Sequence, residues 1–401
     1  MKIAIIGGGT VGGGVVEMLR RWPQVELKYL VVKDISKSRD FSIPPTCQLT
    51  DDFERVLEDS SIEMIVELMG GTESAWKVIQ TALSQGKHVV TANKALISKH
   101  MNDIELLLGA KSNPPFFLYE AAVCGGIPVI NTFLRGLKCD DISAVRGVMN
   151  GSTNWMLDQM QTRGVGYADL LGEAKELGYL EADPSADVLG WDARSKLCIL
   201  ARIAFGIALN ETEVFCEGID KVSMKDIEMA QKLRKSIRLV ANSWIESTHN
   251  IVRAVVMPTM VPIEDPLANL PGATNCVVVK AKHSLNHVMV GSGAGRYPTA
   301  NSVVSDIIAI TNLIDLGAKK GFHPFGQEQL NDRHFDHDIA GKFYLRSNSE
   351  TDQESIAGCL AAKGIPFESP EPTIFVTGKT SLVELRHAVR PESYAVLMRL
   401  L

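Results

Sequence analysis

Asp192 and Lys196, four residues apart, are the pair whose types and spacing most suggest chemistry. On a helix that spacing puts both side chains on one face. On most helices such a pair is a solvated surface ion pair. Here Leu189, Ile199, Leu200 and Ile203 fall on the same side at helical periodicity, while Arg194 and Arg202 turn away. Charges on an apolar, inward face are costly unless paired, so such pairs tend to line clefts and to have perturbed protonation. Pro184 and Asp187 mark a helix start and Gly206 its end, so the helix is expected to run to about Phe205. Glu181 and Asp187 bring two more carboxylates to the same mouth, which suits a ligand bearing an ammonium group.

The second constellation is Gly7-Gly8-Gly9-Thr10-Val11-Gly12, a GxGxxG between a first strand and a helix. Gly7 allows a tight turn, Gly9 lets backbone approach a pyrophosphate, and Gly12 lets helix and strand pack closely. The helix start offers unpaired N–H groups to phosphates. The next strand ends at Lys33-Asp34, where a dinucleotide's ribose is read. Asp34 could bond the ribose hydroxyls of NAD, whereas Lys33, Lys37 and Arg39 could hold the extra phosphate of NADP. NADP is the expected cofactor, with NAD possible.

Elements that would carry these residues can be read from periodicity. Lys2–Ile6, Val25–Val32, Met64–Glu67, His88–Val90 and Phe116–Tyr119 read as strands with helical stretches between them, a doubly wound parallel α/β sheet of Rossmann type over 1–135. Residues 136–298 read as a second α+β domain, and 299–320 as a helical segment packing back on the first domain. Residues 342–401 follow βαββαβ in miniature.

Composition excludes other classes. Hydrophobic residues are 45% and charged residues 22% of the 401, and no apolar run approaches the roughly 20 residues of a bilayer span. Net charge is −6 with no basic stripe, so nucleic acid is not an expected partner. Seven scattered cysteines, none spaced as CxxC, fit reduced thiols in a cytoplasm. The chain opens directly on Lys2–Ile6 and glycines, so no export is expected. Two rivals remain. An aldehyde dehydrogenase would need a nucleophilic thiolate, for which Cys124, before Gly125-Gly126 at an expected helix start, is the candidate. A nucleotide-sensing protein could use the same fold, but would have no reason to keep Asp192, Lys196 and Lys94 together.

The run EADPSADVLGWDARSK resembles the substrate signature of homoserine dehydrogenases, and GGGTVG, VELMGG, VVTANKAL, YEAAVCGGIP, GVMNGSTNWML, LGYLEADP and GSGAGRYPTA follow in that family's order over roughly residues 1–320. The resemblance implies a cytoplasmic homodimer or higher homo-oligomer that interconverts homoserine and aspartate 4-semialdehyde in threonine, methionine and isoleucine biosynthesis. It makes Lys196 the proton donor and Asp192 its partner. Glu181 and Asp187, with Tyr179 and the Gly151-Ser152 turn, would hold the amino-acid end of the substrate. Lys94 would sit between substrate and nicotinamide, either polarising the reacting oxygen or orienting the substrate carboxylate. Thr10, Val11, Thr91 and Gly295 would join Gly7, Gly9, Gly12 and Asp34 around the cofactor. A sodium ion would rest on Glu120 and the carbonyls of Val123, Gly125 and Ile127. Ser152, Ser292 and Trp191 depart from the family's usual threonine, proline and aliphatic residue. Trp191 would either narrow the cleft or pack in the core.

The tail resembles an ACT domain, the amino-acid sensor many of these enzymes carry. Its first turn reads Glu350-Thr-Asp-Gln-Glu-Ser355, without the glycine that lets backbone approach an effector and with carboxylates that repel one. A tail kept for packing or subunit contacts is therefore expected rather than a working sensor.

Overall fold

The computed structural model describes residues 1–401 except 247–249, 320, 322 and 327–331. They form two compact units, one of Met1–Cys139, Cys198–Ala208 and Gly291–Leu330, the other of Asp140–Leu197, Leu209–Val290 and Asn331–Leu401. No described helix is long and apolar enough to cross a membrane.

The first unit is built on six parallel strands, β1 (Lys2–Ile6), β2 (Glu26–Val31), β3 (Gln48–Thr50), β4 (Met64–Glu67), β5 (His88–Thr91) and β6 (Phe117–Leu118), in the order β3-β2-β1-β4-β5-β6. Ile3–Ile6 and Met64–Val66 are buried throughout, as strands must be when helices cover both sheet faces. Crossovers run through α1 (Thr10–Leu19), α2 (Glu73–Ser84) and α3 (Lys94–Gly109), among others. A long helix, Arg296–Asp315, packs on α1, so that Ala300, Val303 and Ile307 share one apolar cluster with Val15, Val16 and Ile5. The helix starts three residues earlier than the segment expected at 299–320, whose last residue lies outside the described ones. The outermost strand β3 was not expected, because Gln48-Leu-Thr50 offers a single apolar residue.

The second unit holds a mixed sheet. Its first half runs β11 (Asn286–Ser292), β10 (Thr274–Ala281), β7 (Ile142–Val148), β8 (Lys235–Glu246) and β9 (Ile251–Pro262), with β8 and β9 paired antiparallel from Lys235↔Pro262 to Glu246↔Ile251. The sheet continues from β9 into the C-terminal strands β15 (Tyr394–Leu400), β12 (Ala340–Ser347), β14 (Ile374–Thr377) and β13 (Phe367–Glu371). With helices Glu350–Ala362 and Leu382–Ala388 these give the βαββαβ series, plus a short strand at Thr380–Ser381. The tail is nevertheless no separate body. β15 pairs with β9 through Thr259↔Arg399 and Met260↔Leu400, and Val255 and Met257 of β9 share one core with Phe343, Leu345, Ile356 and Leu397.

Candidate active site

In the first unit the glycine turn lies at the carboxyl ends of β1 and β4. Gly7 has φ +120°, and a Cβ there would lie 2.4 Å from the Leu68 carbonyl oxygen. A Cβ on Gly12 would lie 2.0 Å from the Gly7 carbonyl oxygen, so helix and turn touch backbone to backbone. A Cβ on Gly9 would meet nothing within 4 Å, and Gly9 and Thr10 are exposed, with Val11 half-buried. No side chain caps α1, which leaves its first N–H groups for an anion. The tight turn at Gly7 and the close packing at Gly12 are those the spacing predicts.

At the end of β2 the Asp34 carboxylate accepts hydrogen bonds from the Ser36 N–H and hydroxyl, at 2.8 and 2.6 Å, which lower its pKa. Lys33 and Lys37 are exposed. Arg39 curls back instead, donating to the carbonyls of Asp34 and Lys37 at 2.7 Å, with its Nε 3.5 Å from where a Gly8 Cβ would lie. A guanidinium is thereby held against the glycine turn. Thr91 is fully buried and its hydroxyl donates to Glu67, so its side chain acts from behind this edge rather than on it. Lys94, half-buried, is the first residue of α3, and Gly295, with φ +113°, is exposed before the helix Arg296–Asp315.

The second unit assembles the charged cluster. Lys196 Nζ donates to Asp192 Oδ2 and to the Met149 carbonyl, each at 2.7 Å, and Asp192 and Lys196 are both only 7% exposed. The pair is thus inward-facing. Asn150, 4% exposed, organises it: its Nδ2 donates to Asp192 Oδ2 at 2.9 Å and to Asp187 Oδ1 at 2.5 Å, while its Oδ1 accepts from the Thr153 N–H and so caps the helix Gly151–Arg163. Beside this cap a Cβ on Gly151 would lie 2.8 Å from the Ala273 carbonyl oxygen, and Ser152 Oγ donates to the Tyr179 carbonyl at 2.6 Å. The exposed Tyr179 ring stacks on Trp155, centroids 5.1 Å apart. Glu181 is exposed and Asp187 half-buried. One cation among two carboxylates and an amide leaves a net negative mouth, which suits an ammonium-bearing ligand.

Several expectations are corrected. The helix is not continuous from Pro184. It breaks at Gly190, φ +82°, into Ser185–Val188 and Trp191–Phe205, because a Cβ at 190 would meet Cys216 Sγ at 3.0 Å and only glycine holds the turn without strain. Arg202 does not turn to solvent. It is wholly buried, bonded to Glu105 and lying over the Phe325 ring, which places Cys198–Ala208 in the first unit rather than inside a 136–298 domain. Trp191 is 45% exposed, so it is not a core residue. Cys124 is fully buried in a left-handed turn, φ 54°, with no helix start beside it, which removes the environment a nucleophilic thiolate needs. None of the seven cysteines forms a disulfide.

Around the residues expected to hold sodium, several of the polar atoms also bond within the protein. The buried Glu120 carboxylate already accepts from Ile130 N, Asn131 N and Asn131 Nδ2, the Gly125 carbonyl accepts from Ser302 Oγ, and the Ile127 carbonyl accepts from Val129 N. Burial raises the Glu120 pKa. No group of three or more His, Cys, Asp or Glu side chains is arranged to hold a metal among the described residues. No step below runs through a metal.

Asn150 and Glu67 were missed from sequence. Asn150 before Gly-Ser-Thr carries a helix-cap signal. Nothing local shows that its amide reaches carboxylates 37 and 42 residues further on.

Two family models match, "Homoserine dehydrogenase, NAD binding domain" over residues 7–117 and "Homoserine dehydrogenase" over 128–308. A homoserine dehydrogenase of Corynebacterium glutamicum is 37% identical over 372 residues, covering 90% of this chain and 81% of that one. The crystal structure of a homoserine dehydrogenase from Thiobacillus denitrificans superimposes with TM-score 0.89 at 32% identity, covering 100% of this chain and 98% of that one. A hyperthermophilic archaeal homoserine dehydrogenase in complex with NADPH gives 0.64 at 25% identity, covering 78% and 97%.

Proposed function

The chain belongs to the homoserine dehydrogenase family, oxidoreductases of the CH–OH group, and on that premise we propose that it interconverts L-homoserine and L-aspartate 4-semialdehyde with NADP preferred and NAD accepted. The observation that carries the chemistry is the Lys196–Asp192–Asn150–Asp187 cluster, buried except at Asp187.

Gly7, Gly9, Thr10, Val11, Gly12 and Gly295 hold the dinucleotide, with Asp34 at its adenosine ribose. When bound, the nicotinamide supplies or takes up the hydride at the substrate's carbonyl carbon. The protein supplies the proton and the anchors. Lys196 keeps a proton at Nζ, 2.7 Å from Asp192 Oδ2, and delivers it to the alkoxide that forms as the aldehyde is reduced. Asp192 keeps that cation inside the protein, where an unpaired one would be expelled or neutralised. Asn150 holds Asp192 and Asp187 apart in fixed directions, so Asp187 and the exposed Glu181 can take the substrate's ammonium group, with Gly151, Ser152 and Tyr179 shaping the same pocket. Lys94 either polarises the reacting oxygen or takes the substrate carboxylate.

NADP preference rests on Arg39, whose guanidinium folds onto the Asp34 carbonyl at the end of β2, where a 2′-phosphate would be read, and on the NADPH complex of the archaeal relative. The enzyme would work in the cytoplasm, in the biosynthesis of threonine, methionine and isoleucine. Exposed Val288 and Val290 on the sheet-end strand β11 favour a second copy of the chain as partner. The tail serves packing rather than sensing. The test is NADPH oxidation with aspartate 4-semialdehyde. Wild type should turn over, and Lys196→Ala should lower kcat by about 100-fold or more while leaving NADPH affinity intact. Unchanged turnover in that variant would refute the assignment.

A further inference from the structure

At the cofactor edge one ionisable side chain has no part in that scheme. Glu67 ends β4, pairs across the sheet with Ile6 of β1 and Thr91 of β5, and is wholly buried. A buried carboxylate is expensive unless its lone pairs are filled. Here the Met69 N–H donates to Oε1 at 2.8 Å and the Thr91 hydroxyl to Oε2 at 2.5 Å. Thr91 Oγ in turn accepts from the Asn93 N–H at 3.0 Å. Asn93 caps α3, its Oδ1 accepting from Leu96 N at 3.1 Å, and its Nδ2 donates to the Gly71 carbonyl at 2.7 Å. Hydrogen bonds therefore run unbroken from Glu67 to the residue before Lys94 and to Met69 and Gly71 of the 68–71 loop, whose Leu68 carbonyl abuts Gly7.

We propose that Glu67 is a positioning residue of the cofactor site: its ionised carboxylate, acting through Thr91 and Asn93, fixes Lys94 and the 68–71 loop beside the glycine turn. The inference rests on the reading of this edge as the dinucleotide site. Ionised Glu67 takes the single hydroxyl proton of Thr91 and leaves Oγ to accept from Asn93. A protonated Glu67 would turn its own O–H onto Thr91 Oγ, and the buried Thr91 proton would have to find another acceptor. Burial pushes the Glu67 pKa up to about 7, so the two arrangements exchange near neutrality. The groups acting on it, Thr91, the Met69 N–H and Asn93, are uncharged. Charges on the helices packed against β4 and β5 are engaged elsewhere: Glu73 with Lys99, Lys77 with Glu54, and Asp306 with the Glu120 N–H.

The experiment titrates NADPH into full-length wild type, Glu67→Gln, Thr91→Val and Thr91→Ser between pH 6 and 9, following nucleotide fluorescence. Wild-type affinity should tighten as pH rises through the Glu67 transition. Glu67→Gln, a permanent mimic of the neutral acid, should bind about 10-fold more weakly at high pH, the order of one lost hydrogen bond, and show no such step. Thr91→Val should move the midpoint upward, because the Thr91 bond favours the ionised form, and Thr91→Ser should restore it. Wild-type affinity with the same pH step in Glu67→Gln would overturn the proposal. Should that variant not fold, an unmoved midpoint in Thr91→Val would overturn it as well. A wild type that binds neither NADPH nor NADH at any pH would instead sink the reading of this edge as the dinucleotide site, and the inference with it.

Discussion

Replacing Asn150 by alanine tests whether the charged cluster is organised or merely adjacent. The change removes a helix cap, costing about 1 kcal/mol. It also removes an amide donor to two carboxylates, and a hydrogen bond to a charged group contributes about 1.5–3 kcal/mol. Asp187 is half-buried and water can replace its lost bond, whereas Asp192 is only 7% exposed and has less access to water. The cap and one unreplaced bond together give a loss of roughly 2.5–4 kcal/mol in unfolding free energy. The same unreplaced bond, counted on the barrier, gives a fall in kcat of roughly 10- to 150-fold. Urea unfolding followed by far-UV circular dichroism reads the first, and NADPH oxidation with aspartate 4-semialdehyde the second. NADPH affinity should not move. Asn150→Asp separates the two effects, because it keeps the cap while placing a third carboxylate beside Asp187 and Asp192, so it should lose kcat as alanine does with a smaller loss from the cap. An alanine variant within about 0.5 kcal/mol of wild type, with unchanged kcat, would refute the reasoning.

Glu181→Gln should raise KM for homoserine more than KM for NADP, since the proposed partner is the substrate's ammonium group; equal effects would remove Glu181 from the substrate site. Arg39→Ala should raise KM for NADPH by roughly 10- to 100-fold, the scale of one charge-assisted bond, and leave KM for NADH nearly unchanged. Parallel changes for the two cofactors would return Arg39 to a loop-folding role. Millimolar threonine should inhibit weakly or not at all. Deleting residues 342–401 should cost the second unit its fold, because it strips most of the core that Val255 and Met257 help to build. A soluble, active deletion variant, or steep threonine inhibition that vanishes with the tail, would contradict this.

How much of this was legible in the sequence depended on where the determining contact lies. The parallel sheet was readable because runs such as Ile3–Ile6 are apolar on both faces and each is followed by helical periodicity. Asp192 and Lys196 were readable because their spacing sets their face. The break at Gly190 was not, because the close approach of Cys216 that leaves no room for a Cβ there comes from a residue distant in sequence. Arg202 misled for the same reason: its partner Glu105 lies 97 residues away, and an arginine on a helix reads as exposed until such a partner is known. Thr91 was expected near the cofactor from resemblance alone, and that its hydroxyl donates to Glu67 was not legible. The clue was Glu67 itself, a charge ending the run Met64-Ile-Val, which needs a buried donor somewhere.

The helix Arg296–Asp315 imposes an order on synthesis. Every strand of the first sheet lies within residues 1–139, yet the apolar cluster on α1 includes Val303 and Ile307. While the ribosome adds residues 140–295, roughly ten to thirty seconds at about 5–20 residues per second, Val15 and Val16 have no such cover. The dinucleotide domain is therefore a late-closing piece despite being made first. A nascent chain stalled before residue 296 should be held by chaperones or aggregate, and one stalled well past 315 should bind NADPH while still attached.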